Sequence, residues 1–204
     1  MKKTTLLLGL AFIGMMVSCG EDTSLISSSS QVIPSGSSIS QPSKEGDKTL
    51  VAYFSATGNT GRIAGEIQNY VSSDSFSITP SVPYTADDLN YSNSDCRANQ
   101  ENNDPSSRPE INNRLDNPTS YQNIYLGYPI WWGKAPKIIY TFLETYDFEG
   151  KTIIPFCTSA SSPISGSEAD LHALEPSATW IDGRRFSSGE SVSSIHSWVD
   201  SLDL

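Results

Sequence analysis

The segment with the clearest chemical potential is a short run of hydroxyl, amide and glycine residues. It reads Ser55-Ala56-Thr57-Gly58-Asn59-Thr60 and lies between the apolar residues 50–54 and a helical pattern. A strand-to-helix turn of this kind offers free backbone N–H groups and the positive end of a helix, both of which suit a phosphate. Because no Lys or Arg lies inside the run, we expect neutral donors to bind the phosphate of a mononucleotide.

Two other nucleotide-binding loops do not match this run. A Walker A loop ends in Gly-Lys-Ser/Thr and brings Mg²⁺ to a triphosphate, whereas Asn59 follows Gly58 here. A dinucleotide-binding turn contains a Gly-x-Gly pair that the run lacks. A Ser/Thr-rich helix cap without a ligand is the alternative interpretation of the same residues.

Strand-like and helix-like patterns alternate along the rest of the chain. Short apolar runs predict buried strands, and apolar residues spaced by three or four predict amphipathic helices. The predicted strands are residues 50–54, 75–78, 124–128, 152–156 and 178–181, and the predicted helices lie around residues 63–71, 138–146, 171–174 and 192–202. Buried strands between amphipathic helices predict a doubly wound α/β fold, with a parallel sheet covered on both faces.

Two further loops follow predicted strands. Tyr128-Pro129-Ile130-Trp131-Trp132-Gly133 follows the third strand, and Cys157-Thr158-Ser159-Ala160-Ser161 follows the fourth. In a doubly wound sheet the loops after the first and third strands meet where the strand order reverses. The pattern therefore places a phosphate-binding loop beside aromatic side chains.

These loops resemble those of the flavodoxin family. The run from Ser55 to Thr60 is similar to the FMN-phosphate loop of flavodoxins, and residues 127–133, 142–144 and 150–156 resemble a short-chain bacterial branch of that family. The resemblance implies a flavodoxin-like sheet of five parallel strands in the order 2-1-3-4-5. It also implies FMN as the cofactor, at the point where the strand order reverses.

The resemblance assigns cofactor-binding roles to three groups of residues. The phosphate contacts are expected from Ser55, Ala56, Thr57, Gly58, Asn59 and Thr60, and the ring contacts from Pro129, Ile130, Trp131, Trp132, Gly133, Thr158, Ser159, Ala160 and Ser161. Trp131 or Trp132 is expected to stack on the flavin ring, with core packing as the alternative role. No residue is assigned a catalytic role, because the flavin itself would carry the chemistry.

The remaining reactive residues suggest no second centre. His172 and His196 lie in predicted surface helices, and Cys157 is expected to be a small core residue. The spacing of Cys and His residues predicts no metal site. Cys96 and Cys157 are expected to be separate thiols, although an exported compartment would permit a bridge between them.

The polar, Asn-rich residues 84–119 have only a faint helical pattern near 86–101 and depart from the flavodoxin pattern by their length. They are expected to form either a solvated loop or a cover near the cofactor. In the second case Arg97 or Arg108 could contact FMN or a phosphate-bearing donor.

The chain is acidic, with 13 Lys and Arg against 23 Asp and Glu and a net charge of −10. This balance disfavours nucleic acid and anionic membrane surfaces as direct partners. It favours a basic redox partner protein, or serves only solubility. The expected function is electron transfer by FMN, with an NAD(P)H- or quinol-dependent FMN oxidoreductase and a flavin-free, membrane-tethered binding protein as alternatives.

The first residues have the pattern of an export signal. Lys2 and Lys3 precede an apolar run that ends at Ser18-Cys19, a junction that resembles the lipobox of bacterial lipoproteins. Residues 1–18 are therefore expected to be a lipoprotein signal peptide, with an ordinary cleaved signal as the alternative. Cys19 would carry the lipid, residues 19–47 would form a disordered Ser-rich tether, and residues 48–204 would form the flavodoxin-like domain. The protein would then be exported and anchored to the bacterial membrane by lipid alone.

The lipoprotein hypothesis predicts the behaviour of a Cys19→Ala variant. Without the thiol that accepts the lipid, the precursor should stay uncut and unlipidated. Immunoblots of membrane and soluble fractions measure both properties. Processing and membrane association like those of the wild type would contradict lipidation at Cys19.

Overall fold

Strand β3 (Tyr121–Pro129) is the centre of a parallel sheet, and residues 124–128 are buried in succession along it. In the computed structural model, which describes residues 48–204, β3 pairs with β1 (Lys48–Tyr53) on one side and β4 (Thr152–Thr158) on the other. The other strands are β2 (Asp74–Ser77), β5 (Thr179–Trp180) and β6 (Arg184–Phe186), and the helices are α1 (Asn59–Val71), α2 (Arg97–Asn103), α3 (Lys137–Thr145), α4 (Ser165–Leu174) and α5 (Val192–Asp200).

The strand order is β2-β1-β3-β4-β5, which confirms the prediction. The fifth strand position is divided between two short strands. β5 pairs with Thr152 and Ile153 at the start of β4, whereas β6 pairs with residues 156–158 at its end. The sequence predicted only the first of these, because the charged pair Arg184-Arg185 gives β6 no apolar run. β6 thus lies beside the carboxyl end of β4, at the edge where the predicted loops meet.

Each face of the sheet has its own hydrophobic core. On one face, Ile63 and Ile67 of α1 pack with Ile195 and Trp198 of α5. On the other face, α3 contributes a buried Phe142 that stacks on Phe76 of β2 with ring centroids 5.9 Å apart. Burial of apolar side chains on both faces stabilises the sheet and explains why its strands read as continuous apolar runs.

The β2–β3 connection (residues 78–120) is ordered. Its two ends pair through an antiparallel bridge between Pro80 and Ile111, and the Asn112 N–H donates to the Thr79 carbonyl at 2.7 Å. Most residues between 84 and 119 are nevertheless exposed or half-buried, and only Cys96, Ala98 and Leu115 among them are buried. The helix of this segment spans Arg97–Asn103, whereas the faint pattern predicted one near 86–101.

The sequence predictions for residues 1–47, including the signal peptide, Cys19 and the tether, lie outside the described residues. Among residues 48–204, no helix has the length and hydropathy needed to cross a bilayer. Within the described range, Cys96 and Cys157 are free thiols and both are buried. Burial raises the pKa of the Cys157 thiol to about 12, which fits a core residue and not a nucleophile.

Two glycines give a matched test of the packing at the centre of the sheet. Gly127 pairs with Phe156 across β3 and β4, and a Cβ at position 127 would lie within 3.0 Å of three carbons of the Phe156 ring. Gly127→Ala should therefore lower the free energy of unfolding by about 1–3 kcal/mol through overpacking. Gly65, inside α1, has open space around its Cβ position, so Gly65→Ala should raise the free energy of unfolding by about 0.5–1 kcal/mol. Urea denaturation measures both, and similar effects would contradict the packing at Gly127.

Candidate functional site

A cavity of about 300 Å³ opens at the carboxyl edge of the sheet, where the loops after β1, β3 and β4 come together. Eight of the predicted site residues line it: Thr57, Asn59, Pro129, Ile130, Trp131, Thr158, Ser159 and Ala160. Three other residues that line it, Leu89, Tyr91 and Ser188, were not predicted. The fold thus brings together at one edge of the sheet residues that lie up to 131 positions apart in sequence, as Thr57 and Ser188 do.

The loop between β1 and α1 presents polar groups at one end of the cavity. Gly58 occupies the N-cap of α1 with a φ of +86°, a left-handed conformation that glycine adopts without strain. Gly58 has no side chain to cap the helix, and the first helical bond runs from the Arg62 N–H to the Gly58 carbonyl at 2.9 Å. The preceding N–H groups therefore lack partners within the helix.

The side chains of this loop differ in their surroundings. Thr57 and Asn59 are exposed, and the Asn59 amide donates to the Thr57 hydroxyl at 3.3 Å. The Ser55 hydroxyl is buried and has no hydrogen-bond partner in the described part of the chain. A buried hydroxyl without a partner is costly, so this atom is a free donor or acceptor within the loop.

Thr60 has a different role from its neighbours. Its side chain is 1% exposed, and its hydroxyl lies 2.7 Å from the hydroxyl of Thr158, which is also buried. This hydrogen bond joins the start of α1 to the end of β4. Thr60 was predicted to contact a phosphate, and the structure engages its hydroxyl in fixing the two loops relative to each other.

The two tryptophans occupy different environments. Trp131 is 6% exposed and contacts Phe54 and Tyr84 edge to face, with ring centroids 5.5 Å and 5.0 Å away. Trp132 is half-buried and stacks on Tyr91, with ring centroids 4.2 Å apart and an angle of 24° between the planes. Trp131 therefore serves both the core and the cavity wall, whereas Trp132 lies outside the cavity lining.

A tight turn explains why Trp131 and Trp132, although consecutive, lie in different environments. Trp131 and Lys134 exchange two backbone hydrogen bonds of 2.9 Å. The two residues between them, Trp132 and Gly133, have φ values of +45° and +80°. Positive φ at both central positions is the pattern of a type I′ turn, in which a bulky residue such as tryptophan is strained.

The remaining wall comes from the loop after β4. The Ser159 N–H donates to the Phe186 carbonyl at 3.2 Å, and the Arg185 guanidinium donates to the Ser159 carbonyl at 3.1 Å. Both bonds tie this loop to β6. Ser161 is exposed and lies beyond the cavity lining.

Seven predicted site residues do not line the cavity: Ser55, Ala56, Gly58, Thr60, Trp132, Gly133 and Ser161. Of the lining residues that the sequence did not indicate, Leu89 and Tyr91 lie in the β2–β3 connection, and Ser188 follows β6. In the sequence, Leu89 and Tyr91 stand out only as apolar side chains in a polar, Asn-rich segment. This pattern does not show that they reach the cavity.

Two arginines suggested as cofactor contacts are paired within the protein. Arg97 donates to Glu101 at 2.7 Å, and Arg108 makes two 2.7 Å bonds to Glu144, which holds the pKa of that carboxyl below its usual range. Neither arginine lines the cavity. The partner of Arg108 was not recognisable from the sequence, because Glu144 lies 36 residues away, whereas Arg97 and Glu101 are four residues apart in α2.

The histidines also lie away from the cavity. His196 stacks on Tyr70 with ring centroids 3.9 Å apart. His172, which was expected to face solvent or to cap its helix, is half-buried in the last turn of α4 and packs against Trp180. Its buried Nε2 atom has no hydrogen-bond partner among residues 48–204. Within residues 48–204, no group of three or more His, Cys, Asp or Glu side chains is arranged to hold a metal ion.

The cavity therefore joins two kinds of surface. One end, at Thr57 and Asn59, carries hydroxyl, amide and backbone N–H groups without a cation. The other walls are largely apolar or aromatic. Such a cavity can hold a planar ring that bears an anionic group at one end.

Comparisons with known proteins agree with this geometry. A family model described as Flavodoxin matches residues 48–202. The structure of a protein described as a flavoprotein from Bacteroides uniformis is 44% identical, with a TM-score of 0.73, over 76% of this chain and 99% of that one. Its counterpart from Bacteroides eggerthii is 41% identical, with a TM-score of 0.72, over 77% and 98% of the two chains.

A third structure, a flavoprotein from Lactobacillus acidophilus in complex with FMN, shares the fold at 24% identity. Its TM-score is 0.60, and the alignment covers 78% of this chain and 99% of that one. Among curated proteins, no sequence matches the chain.

Proposed function

The chain belongs to the flavodoxin family, and from this premise we propose that it is an FMN-binding redox protein that carries electrons near the cell envelope. The observation that carries the proposal is the cavity at the strand ends, which combines a cation-free polar end with aromatic and apolar walls. A mononucleotide flavin has the matching parts, a single phosphate and a planar ring.

The residues present fit FMN. The buried Ser55 hydroxyl without a partner, the exposed Thr57 and Asn59, and the N–H groups before Arg62 form a set of neutral donors. Phosphate bound by neutral donors at a helix N-terminus needs neither Mg²⁺ nor a lysine. Riboflavin, which lacks the phosphate, would leave these donors unused.

When bound, FMN supplies reversible transfer of one or two electrons, and the protein supplies binding, orientation and exclusion of water. Thr57 and Asn59 would hold the phosphate. Trp131, Tyr91 and Leu89 would cover the ring and keep water from it. The loop from Thr158 to Ala160 would orient the polar edge of the ring through backbone and hydroxyl groups.

The envelope location rests on the sequence of the first residues. A lipid on Cys19 and the Ser-rich residues that follow would hold the domain close to a membrane. The excess of Asp and Glu over Lys and Arg would then steer a basic redox protein towards the domain, or repel anionic surfaces from it.

The phosphate role of the β1–α1 loop is tested by Thr57→Glu. Position 57 is exposed, so the variant should fold. Its carboxylate should weaken FMN binding at least about tenfold, because like charges a few ångström apart repel by about 1–4 kcal/mol. Riboflavin binding should change little. Quenching of flavin fluorescence measures both affinities.

Ser197→Glu is the matched control, since it adds the same charge at an exposed position of α5. It should leave FMN binding unchanged. Equal losses of FMN and riboflavin affinity in Thr57→Glu would show that this loop does not bind the phosphate.

The carrier function predicts reduction of the FMN-loaded protein in two separate one-electron steps. The second step should need a lower potential, because the acidic chain opposes the build-up of negative charge in the cavity. An anaerobic spectroelectrochemical titration measures both potentials. A single two-electron step with rapid oxidation of NAD(P)H would instead establish the oxidoreductase alternative, and failure to retain any flavin would establish the binding-protein alternative.

A further inference from the structure

The loop after β6 also reaches the cavity, and an arginine from α1 holds it. This loop, Ser187–Glu190, follows β6 and contributes Ser188 to the cavity lining. Arg62 lies one turn into α1, and its Nη2 atom donates to the Ser188 carbonyl at 3.2 Å and to the Glu190 carbonyl at 3.0 Å. The arginine therefore links the loop to the helix that begins at the phosphate-binding turn.

The shape of the Ser187–Glu190 loop is fixed from within. The Glu190 carboxylate accepts hydrogen bonds from the Ser187 N–H at 3.3 Å and the Ser187 hydroxyl at 3.1 Å. Its other oxygen accepts from the Ser194 hydroxyl of α5 at 2.7 Å and lies 3.6 Å from the Arg184 guanidinium. These bonds join the loop to β6 and α5, the elements before and after it. The hydrogen bonds from Arg62 join the loop to α1.

The base of the loop is tied to the wall of the cavity. β6 pairs with residues 156–158 of β4, and the Ser159 N–H donates to the Phe186 carbonyl at 3.2 Å. The loop therefore continues the wall that begins at Thr158. Its far end is bonded to Arg62, which lies three positions after Asn59 near the start of α1.

We propose that Arg62 is a specificity-determining residue that selects the phosphorylated flavin. It holds Ser188 as a wall at the phosphate end of the cavity, the end that Thr57 and Asn59 line. It also places a permanent positive charge one helical turn from the Ser55–Thr60 loop, which contains no Lys or Arg. Both effects act at the phosphate and not at the ring. The inference rests on the proposed function, since it presupposes that FMN is the ligand.

The test compares FMN and riboflavin binding in Arg62→Met, using the full chain. Arg62 is exposed and methionine is a good helix former, so the variant should fold, which circular dichroism checks. The ratio of FMN to riboflavin affinity should fall about tenfold, the effect of losing about 1.4 kcal/mol of phosphate stabilisation. Arg114→Met is the control, because Arg114 is also exposed and removing it changes the charge equally. It should keep the wild-type ratio.

Ser188→Glu tests the position of the wall independently of the arginine. Ser188 is exposed at the loop tip, and a carboxylate there should weaken FMN binding about tenfold while riboflavin binding changes less than about threefold. A purely structural role of Arg62 would lower both affinities by the same factor and would overturn the proposal. Unchanged FMN binding in either variant would also overturn it. A wild-type protein that binds no FMN would instead refute the proposed function.

Discussion

The parallel pairing of β3 with β1 on one side and β4 on the other is the constraint on which the site depends. Because all three strands run in the same direction, their carboxyl ends lie side by side. The pairing continues past the strand ends, where the Phe54 N–H donates to the Gly127 carbonyl at 2.9 Å and the Ile130 N–H to the Thr158 carbonyl at 3.0 Å. The loops that form the cavity thus leave the sheet from fixed positions.

The β2–β3 connection completes the cavity through one anchored side chain. Tyr84 packs against Trp131 and Phe54, bonds to the Glu101 carboxylate and lies under the Arg97 guanidinium, 4.1 Å from its ring centroid. Burial raises the pKa of Tyr84 and the adjacent carboxylate raises it further. A neutral, well-packed tyrosine therefore attaches a polar segment to the aromatic wall. The same segment supplies Leu89 and Tyr91 to the cavity.

The net charge of the chain and the hydrogen-bond donors of the cavity act on an anion in opposite ways and over different distances. A chain with a net charge of −10 disfavours anions at a distance, yet salt screens such fields beyond about 8–10 Å. Within hydrogen-bonding distance, the N–H and hydroxyl groups at the start of α1 are the groups that would stabilise a bound phosphate. Two other arginines, Arg97 and Arg108, are held by carboxylates of the same chain, whereas the partners of Arg62 among residues 48–204 are two neutral carbonyls.

The sequence by itself determined the α/β class and the loops that follow the strands, whereas the strand order was implied by the resemblance to flavodoxins. Apolar periodicity locates strands and helices, and the Ser55–Thr60 run and the Tyr128–Gly133 run follow strands whose ends must meet in this fold. Local pattern was sufficient for these features because each depends on residues adjacent in the chain.

Tertiary structure alone decided the rest, because the deciding contacts join residues far apart in sequence. Which tryptophan lines the cavity depends on distant aromatic residues. Phe54 and Tyr84 pack against Trp131, and Tyr91 stacks on Trp132. Thr60 was expected at a phosphate, but its hydroxyl meets that of Thr158, 98 positions away. The charged β6 likewise became a strand through its pairing with β4, since it is neither long nor apolar enough to be recognised alone.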